Sequence, residues 1–464
     1  MFFGLVCRLS QYAANTSLWH DGALVALNVL QKSFGGLLGP LEWHEAAPPG
    51  FLVVEKLAVS FLGRSEYALR LIPLLAGLAG MTLFAGLARL VVGRGAAWVW
   101  AVLLMAASGK LIVQSNEVKH FTLDLLWAVL VSWLAIRISH LRVPGRSLFV
   151  WGALGAVGLW VSFASLFVFA GTSLALVPRV FRTWDWQERS AYLAANLAVL
   201  ASMVLLLGPI QAQRTGTVVE FWSKSFPDTK NLPALVYWLG RSHLGLFNYF
   251  WQPFGLVLLC LAVLGSVCYS RTDRRPELVL LNLPVFMALV ASFLHRWPFG
   301  GNQHMVFAGP MVFLLVAEGV EALRHRLASW RPSIAWAFVA VLLLPGILEA
   351  TYRIGFPRLR HEVRPVVEFV QNHRQRCDQF LVFDPATVEF YAGRDLFNAP
   401  GEPSVSSRVW FIASGSRRKG FPVPAQDMLD RLSDQRPQLR GIEEYGAVAY
   451  LFGPARSPGE PRLP

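Results

Sequence analysis

About ten stretches of this chain are apolar for long enough to cross a bilayer, and each is bounded by charge: residues 69–91, 97–113, 120–138, 148–163, 164–178, 190–210, 248–269, 277–294, 304–323 and 333–352. A spanning helix needs roughly 20 mostly apolar residues. Inside hydrocarbon a backbone must satisfy its own N–H and C=O groups, so such a chain folds as packed helices. The fourth and fifth stretches are short; residues 148–176 also read as one long helix, or as a re-entrant pair broken near Ser162 and Ser165. Charged residues make up 15% of the chain, against roughly 25% in soluble domains, and 54% of residues are hydrophobic. The 17 Trp and 32 Phe suit the aromatic belts of membrane interfaces. A net charge of +13 raises nucleic acid as a partner. The basic residues lie in short loops between apolar runs, and no soluble segment carries a basic–aromatic platform, so that class is excluded.

The loop charges orient the spans. Arg89 and Arg94, then Arg137, Arg142 and Arg146, then Arg179, Arg182 and Arg189, then Arg271, Arg274 and Arg275, then Arg324, Arg326 and Arg331 all fall on one side if there are ten spans. By the positive-inside rule that side is cytoplasmic. Merging 148–178 into one helix would strand the later clusters on the wrong side, so the charges favour two helices there. The opposite side receives residues 1–68, 114–120, 211–247, 295–303 and everything after about 353.

Three domains are expected: a first outer loop with interfacial helices (1–68), a transmembrane helical domain (69–352) and a small soluble α/β domain (353–464). Residues 1–6 read as the tail of a helix, without the pattern of a signal peptide, and a first span is expected to precede them. In the last domain helices are expected at 363–374, 386–391 and 425–432, and strands at 379–383, 409–413 and 447–452, followed by a frayed Pro-rich end from 453. Of the four cysteines, Cys260 and Cys268 share an apolar segment, and a Cys7–Cys377 disulfide stays open; no CxxC pair or zinc-ligand spacing occurs.

The unusual polar residues gather on the outer side. Asp21 is either a general base at the membrane surface or an acidic residue capping a helix over 22–34. His44 and Glu45 precede Ala46-Ala47-Pro48-Pro49-Gly50, a rigid turn that either belongs to a site or merely leads into 51–62. Glu117, Lys119 and His120 crowd a very short loop next to hydrocarbon, where ionisable groups are costly unless paired or used. Lys119 suits a phosphate as a point charge, Asp124 lies one turn deeper, and snorkelling with local pairing is the alternative. The loop 295–304 holds Arg296, a second phosphate candidate, two glycines that permit close backbone approach, and Asn302 and Gln303; the alternative is a tight interhelical turn. Residues 211–252 carry Trp222, Lys224, Phe226, Tyr237, Trp238, Arg241 and His243, which suit a lipid head group, a sugar face or an ordinary interfacial helix.

Five of these segments, SLWHDGALVALNVL (17–30), WHEAAPPGFLVVEKL (43–57), GRSEYALRL (63–71), SNEVKHFTLD (115–124) and RWPFGGNQHMVF (296–307), occur in an order and spacing that resembles the multi-span glycosyltransferases of the GT-C fold, in the group related to protein O-mannosyltransferases and lipid A aminoarabinose transferases. The resemblance covers nearly the whole chain. It implies a GT-C-like, α-helical polytopic membrane protein of about ten spans, its first span missing, with the small extracytoplasmic α/β domain. It also implies an enzyme that takes a sugar from a polyprenyl phosphate, acts on the non-cytoplasmic face and inverts the anomeric carbon.

By the resemblance Asp21 stands at the first position of an acidic pair that supplies the base, and Gly22 stands where the pair usually has Glu. Phe121 replaces a Tyr after the Lys119 segment, and Asn302 and Gln303 stand where an Arg usually follows the glycines. The resemblance and the charges assign Asp21 as catalytic base, Lys119 and Arg296 to the leaving phosphate, and Glu45, His44, Glu117, His120, Asn302 and Gln303 to substrate binding. No cofactor is implied; a divalent cation on His44, Glu45 and Asp21 is left open. The expected partners are the polyprenyl-phosphate-linked sugar, a lipid, glycan or protein acceptor, and the bilayer, in a bacterial inner membrane with the site on the periplasmic face. One rival is a transporter or flippase for a lipid-linked glycan, which predicts ionisable residues deep in several spans and a repeat between halves. The other is a non-catalytic scaffold, which Gly22 and the absent loop arginine favour.

Overall fold

The computed structural model describes residues 1–92, 95–141, 143–214, 222–223, 225–393, 405–414 and 421–455; Arg94, Arg142, Lys224 and the Pro-rich end from residue 456 lie outside them. The chain divides into two compact units, Met1–Ala14 with Lys32–Phe356, and Asn15–Gln31 with Pro357–Pro464. Residues 15–31 of the expected first outer loop thus fall in the second unit.

The first unit is helical throughout. Each of the ten apolar runs carries helix, but among the described residues seven helices are both long and apolar enough to span: Glu66–Val91, Phe121–His140, Ser165–Arg182, Trp186–Gln213, Arg275–Phe293, Gln303–Ala328 and Pro332–Gly355. The pair Leu232–Phe250 and Gly255–Ser270, bent by 100°, makes an eighth if counted as one broken span, while Ala97–Ala107 and Gly145–Val161 are shorter. The chain is an integral membrane protein. Its helices start where the side chains supply caps. Asp185 accepts from the backbone N–H groups of Gln187 and Glu188 while the Glu188 carboxylate reaches back to the Asp185 N–H, a reciprocal capping box.

At two breaks between consecutive helices a serine meets the cost. The run 97–113 splits at Ser108, whose backbone turns to φ −65°, ψ 105° and whose Oγ donates to the Phe250 carbonyl at 3.0 Å. Residues 148–178 form two helices, as the charge pattern requires. Ser162 leaves the helical region at φ −154°, and its Oγ accepts from Ser165 N at 3.1 Å to start the next helix. Within the outer segment expected over 211–247, Leu232–Phe250 is a 19-residue helix, the helical reading that the sequence had left open. Asn231 caps it, accepting from Ala234 N at 3.1 Å, and its first turns expose Leu232, Val236 and Tyr237. Gly265 and Gly319 let two helices touch backbone to backbone. A Cβ on Gly265 would sit 2.0 Å from the Leu315 carbonyl oxygen, and one on Gly319 2.0 Å from that of Leu261.

In the second unit four strands, β1 (Gln379–Val382), β2 (Val409–Ser414), β3 (Gln438–Glu444) and β4 (Ala447–Phe452), form a sheet of order β1-β2-β4-β3. The β1–β2 pair is parallel and the β2–β4 and β3–β4 pairs are antiparallel. The period-2 alternation of strand side chains splits β2. Trp410 and Ile412 pack under the helices Val363–His373 and Pro385–Ala392, while Val409, Phe411 and Ala413 pack under Val423–Gln435. Strand β3 was not expected: it is an edge strand, and its charged residues Arg440, Glu443 and Glu444 are exposed, which disguises the pattern. The helix His20–Gln31 packs on Pro385–Ala392 in this unit. All four cysteines are free thiols.

Asp378 ties the sheet together. Its carboxylate accepts from Arg408 Nε at 2.8 Å and Nη2 at 2.7 Å, from Trp410 Nε1 at 2.8 Å and from Gln375 N at 2.9 Å. Burial alone would raise its pKa, but these donors hold it below the usual carboxylate range. Asp378→Ala is expected to destabilise this unit by about 3 kcal/mol, because the Arg408 charge and the buried indole N–H lose their acceptor. A lowered folded-state pKa gives stability that is complete above an unfolded value of about 4. That stability is lost as pH falls through the folded value. Thermal unfolding followed against pH should show this acid loss in the wild type and less of it in Asp378→Ala.

Candidate active site

The loop between Gly109–Gln114 and Phe121–His140 is short, and its residues 114–120 are buried except for half-buried Glu117. Backbone bonds close it tightly: Asn116 N donates to Val113 O at 2.9 Å and Lys119 N to Glu117 O at 2.8 Å. This turn aims Lys119 at the rigid turn ahead of the helix Pro49–Leu62, where Lys119 Nζ lies 2.7 Å from Glu45 Oε2. The two side chains are 9% and 11% exposed. Glu45 is held in turn, since its Oε1 accepts from Ala46 N at 3.0 Å, and Ala47 N donates to Gln213 Oε1 at 3.1 Å. Removing two charges from water is costly unless they meet in good geometry, and 2.7 Å is the length of a charge-assisted hydrogen bond.

Beside this pair lies a histidine cluster. His120 is buried against the rings of Phe51, Phe121 and Phe163, with centroids 5.9, 4.7 and 6.1 Å away. Its Nε2 is 3.8 Å from Asp124 Oδ2, one turn into the next helix. Its Nδ1 and both Asp124 carboxylate oxygens are buried without a hydrogen-bond partner. His304 stands at the edges of Phe121, Trp222 and Trp297, 5.4, 4.8 and 5.5 Å away. Burial, then the nearby His304 and Lys119, push the His120 pKa well below the ordinary histidine value. His120 is therefore a neutral imidazole at pH 7. Glu55, which sequence reasoning passed over, is fully buried in Pro49–Leu62 with both oxygens unpartnered, and burial raises its pKa well above the carboxylate range. The signal available was one acid inside the apolar run FLVVEKLAV.

The structure thus brings Glu45, Lys119 and His120 together, with Asp124 and His304 beside them. Other candidates lie elsewhere. His44 is exposed, with φ +55°. Arg296 is exposed at the end of Arg275–Phe293, its N–H donating to Ala291 O at 2.9 Å. Asn302 is occupied by its own loop, its Oδ1 accepting from His304 N at 3.0 Å and its Nδ2 donating to Pro298 O at 3.2 Å. Half-buried Gln303 opens the short 3-10 turn Gln303–Ala308. The glycines ahead of it serve packing: a Cβ on Gly301 would lie 2.6 Å from Gly245 O. The close approach expected there is therefore to the helix Leu232–Phe250. Asp21 belongs to the other unit, where it is half-buried in the first turn of His20–Gln31. Among the described residues no three His, Cys, Asp or Glu side chains gather as a metal site.

No protein-family model matches the sequence, and no curated protein sequence matches it either. Solved structures do match. One is ArnT from Cupriavidus metallidurans bound to undecaprenyl phosphate, with a TM-score of 0.57 at 14% identity over 97% of this chain and 97% of that one. Another is the same ArnT in the apo state, with a TM-score of 0.52 at 14% identity and the same coverage. A third is the oligosaccharyltransferase AglB from Archaeoglobus fulgidus in complex with an inhibitory peptide and a dolichol-phosphate, with a TM-score of 0.51 at 11% identity over 84% of this chain and 63% of that one. The chain has the GT-C fold. At these identities the likeness is one of fold, and it extends from end to end in ArnT.

Two outcomes follow from the buried charges. Lys119→Met or Glu45→Gln alone leaves a nearly buried partner unpaired, at a cost of about 3 kcal/mol. The double variant should cost less than the sum by at least about 1 kcal/mol, read from unfolding in detergent. Because the folded-state pKa of His120 is lowered, its contribution is complete above an unfolded value of about 6.5 and is lost as pH falls below it. Stability should therefore decline on acidification from pH 7 to 5, and the His120→Phe variant should lose part of that dependence.

Proposed function

We propose that this protein is an inverting glycosyltransferase that moves a sugar from a polyprenyl phosphate to a cell-envelope acceptor. The observation that carries the reading is the GT-C fold, matched over 97% of both chains by a structure holding undecaprenyl phosphate. The acceptor hydroxyl or amine attacks the anomeric carbon from the face opposite the phosphate. Its proton passes to the Asp21 carboxylate, the bond from the anomeric carbon to the phosphate oxygen breaks, and the electron pair leaves with the polyprenyl phosphate. Charge develops on that phosphate in the transition state, where a fixed cation is most effective.

Lys119 is assigned to the phosphate, with Arg296 as the second cation. Glu45, which holds Lys119 at 2.7 Å, keeps the ammonium oriented before the lipid arrives. Glu45, His44, Glu117, His120, Asn302 and Gln303 are assigned to the sugar and acceptor, and neutral His120 suits a hydrogen bond to a sugar hydroxyl. The transfer as written needs no metal. The positive-inside rule supports a reading in which residues 114–120 face away from the cytoplasm, in the inner membrane of a bacterium.

Incubation of the protein in nanodiscs with polyprenyl-phosphate sugars tests this. Wild type is expected to release free polyprenyl phosphate, and Asp21→Asn to do so about 10²–10⁴-fold more slowly, the span of general-base catalysis. Equal rates would remove Asp21 from the mechanism. Absence of release with every donor would sink the transferase reading.

A further inference from the structure

The segment carrying Asp21 does not belong to the unit that holds its chain neighbours. Residues 15–31 form one body with residues from 357 onward, and the ties that make it so are polar and specific. Upstream of Asp21, the Glu362 carboxylate accepts from Ser17 N at 3.3 and 3.2 Å and from Ser17 Oγ at 2.9 Å. Arg364 N donates back to Ser17 Oγ at 3.2 Å, and Arg364 Nη2 to Asn15 O at 2.7 Å. The Tyr391 hydroxyl accepts from Leu18 N at 2.7 Å, and the Arg360 guanidinium lies 4.0 Å over the Trp19 ring. Downstream, Gln31 Nε2 donates to Glu389 Oε1 at 2.8 Å.

The tie nearest Asp21 is on the residue before it. His20 Nδ1 is 2.9 Å from Asp384 Oδ1. The Asp384 side chain is 6% exposed, against 48% for His20. Asp384 is itself fixed, because its Oδ2 accepts from Ser414 Oγ at the end of β2. The chain of contact therefore runs from the sheet through Ser414 and Asp384 to the first residue of the helix that presents Asp21. A helix is rigid along its axis, so pinning its first residue at Asp384 and its last at Glu389 fixes where Asp21 stands.

We propose that the C-terminal unit is part of the catalytic apparatus and that Asp384, acting through His20, is the positioning residue for Asp21. This rests on the transferase reading above. The charged groups around the tie are Asp384 and Asp21 themselves, with Glu362, Arg360, Arg364 and Glu389 on the flanking contacts. The position gains importance because Gly22 supplies no second carboxylate, leaving the placement of one acid to decide the rate.

The test uses the full chain with Asp384→Asn, which keeps the bond to Ser414, and His20→Phe, which leaves the sheet untouched. Donor turnover and amide hydrogen exchange are measured together. The expected result is a kcat lower by about 10²-fold, the cost of roughly 1 Å of misplacement, with the donor KM within about twofold. Exchange should rise at residues 18–24 while β2 and β4 stay protected. A wild-type kcat in both variants would overturn the proposal, as would a change confined to the acceptor KM, which is the signature of a binding role. If wild type itself turns over no donor, the transferase reading fails. Exchange then decides the remainder: unchanged protection at 18–24 in both variants overturns the positioning role, and increased protection loss there sustains it.

Discussion

Every break in a membrane helix has to be answered by a partner for the backbone groups it releases, and this requirement organises the first unit. Hydrocarbon offers no water to take a stray carbonyl. Where the helix Leu232–Phe250 ends, Ser108 Oγ donates to the Phe250 carbonyl; Trp251 Nε1 donates to the Leu342 carbonyl at 3.0 Å and Thr122 Oγ1 to the Pro73 carbonyl at 2.9 Å, both inside other helices. These bonds join helices far apart in sequence. They therefore fix which helices lie together, and so where the loop 114–120 is held.

Inside that frame the Lys119–Glu45 pair stands out, because each group would be expensive alone. Pairing with Glu45 offsets that cost, and His120, buried among aromatic rings, lies beside the pair. The structure thus pairs Lys119 with a nearly buried carboxylate and leaves Arg296 exposed beyond a helix end.

The helices were legible because hydrophobic length is a local property, and five of the six expected elements of the C-terminal unit overlap observed ones within two residues at each end for the same reason. The sixth, the helix expected over 425–432, runs longer, as Val423–Gln435. What the sequence hid was long-range or edge-bound. Strand β3 carries exposed charge on an edge. The pairing of Lys119 with Glu45 spans 74 positions, and the clamp of Glu362 on Ser17 spans 345. Each is one contact with no periodic signal, and no local pattern announces it.

The split membership of the N-terminal segment has a consequence for how the protein is made. The helix His20–Gln31 leaves the ribosome early, but the sheet that receives it begins beyond Pro357. At roughly 5–20 residues per second, it waits tens of seconds, through insertion of every intervening span, before its dock exists. Translation thus acts as a timer: until the residues beyond 357 are made, this helix has no sheet unit to pack on.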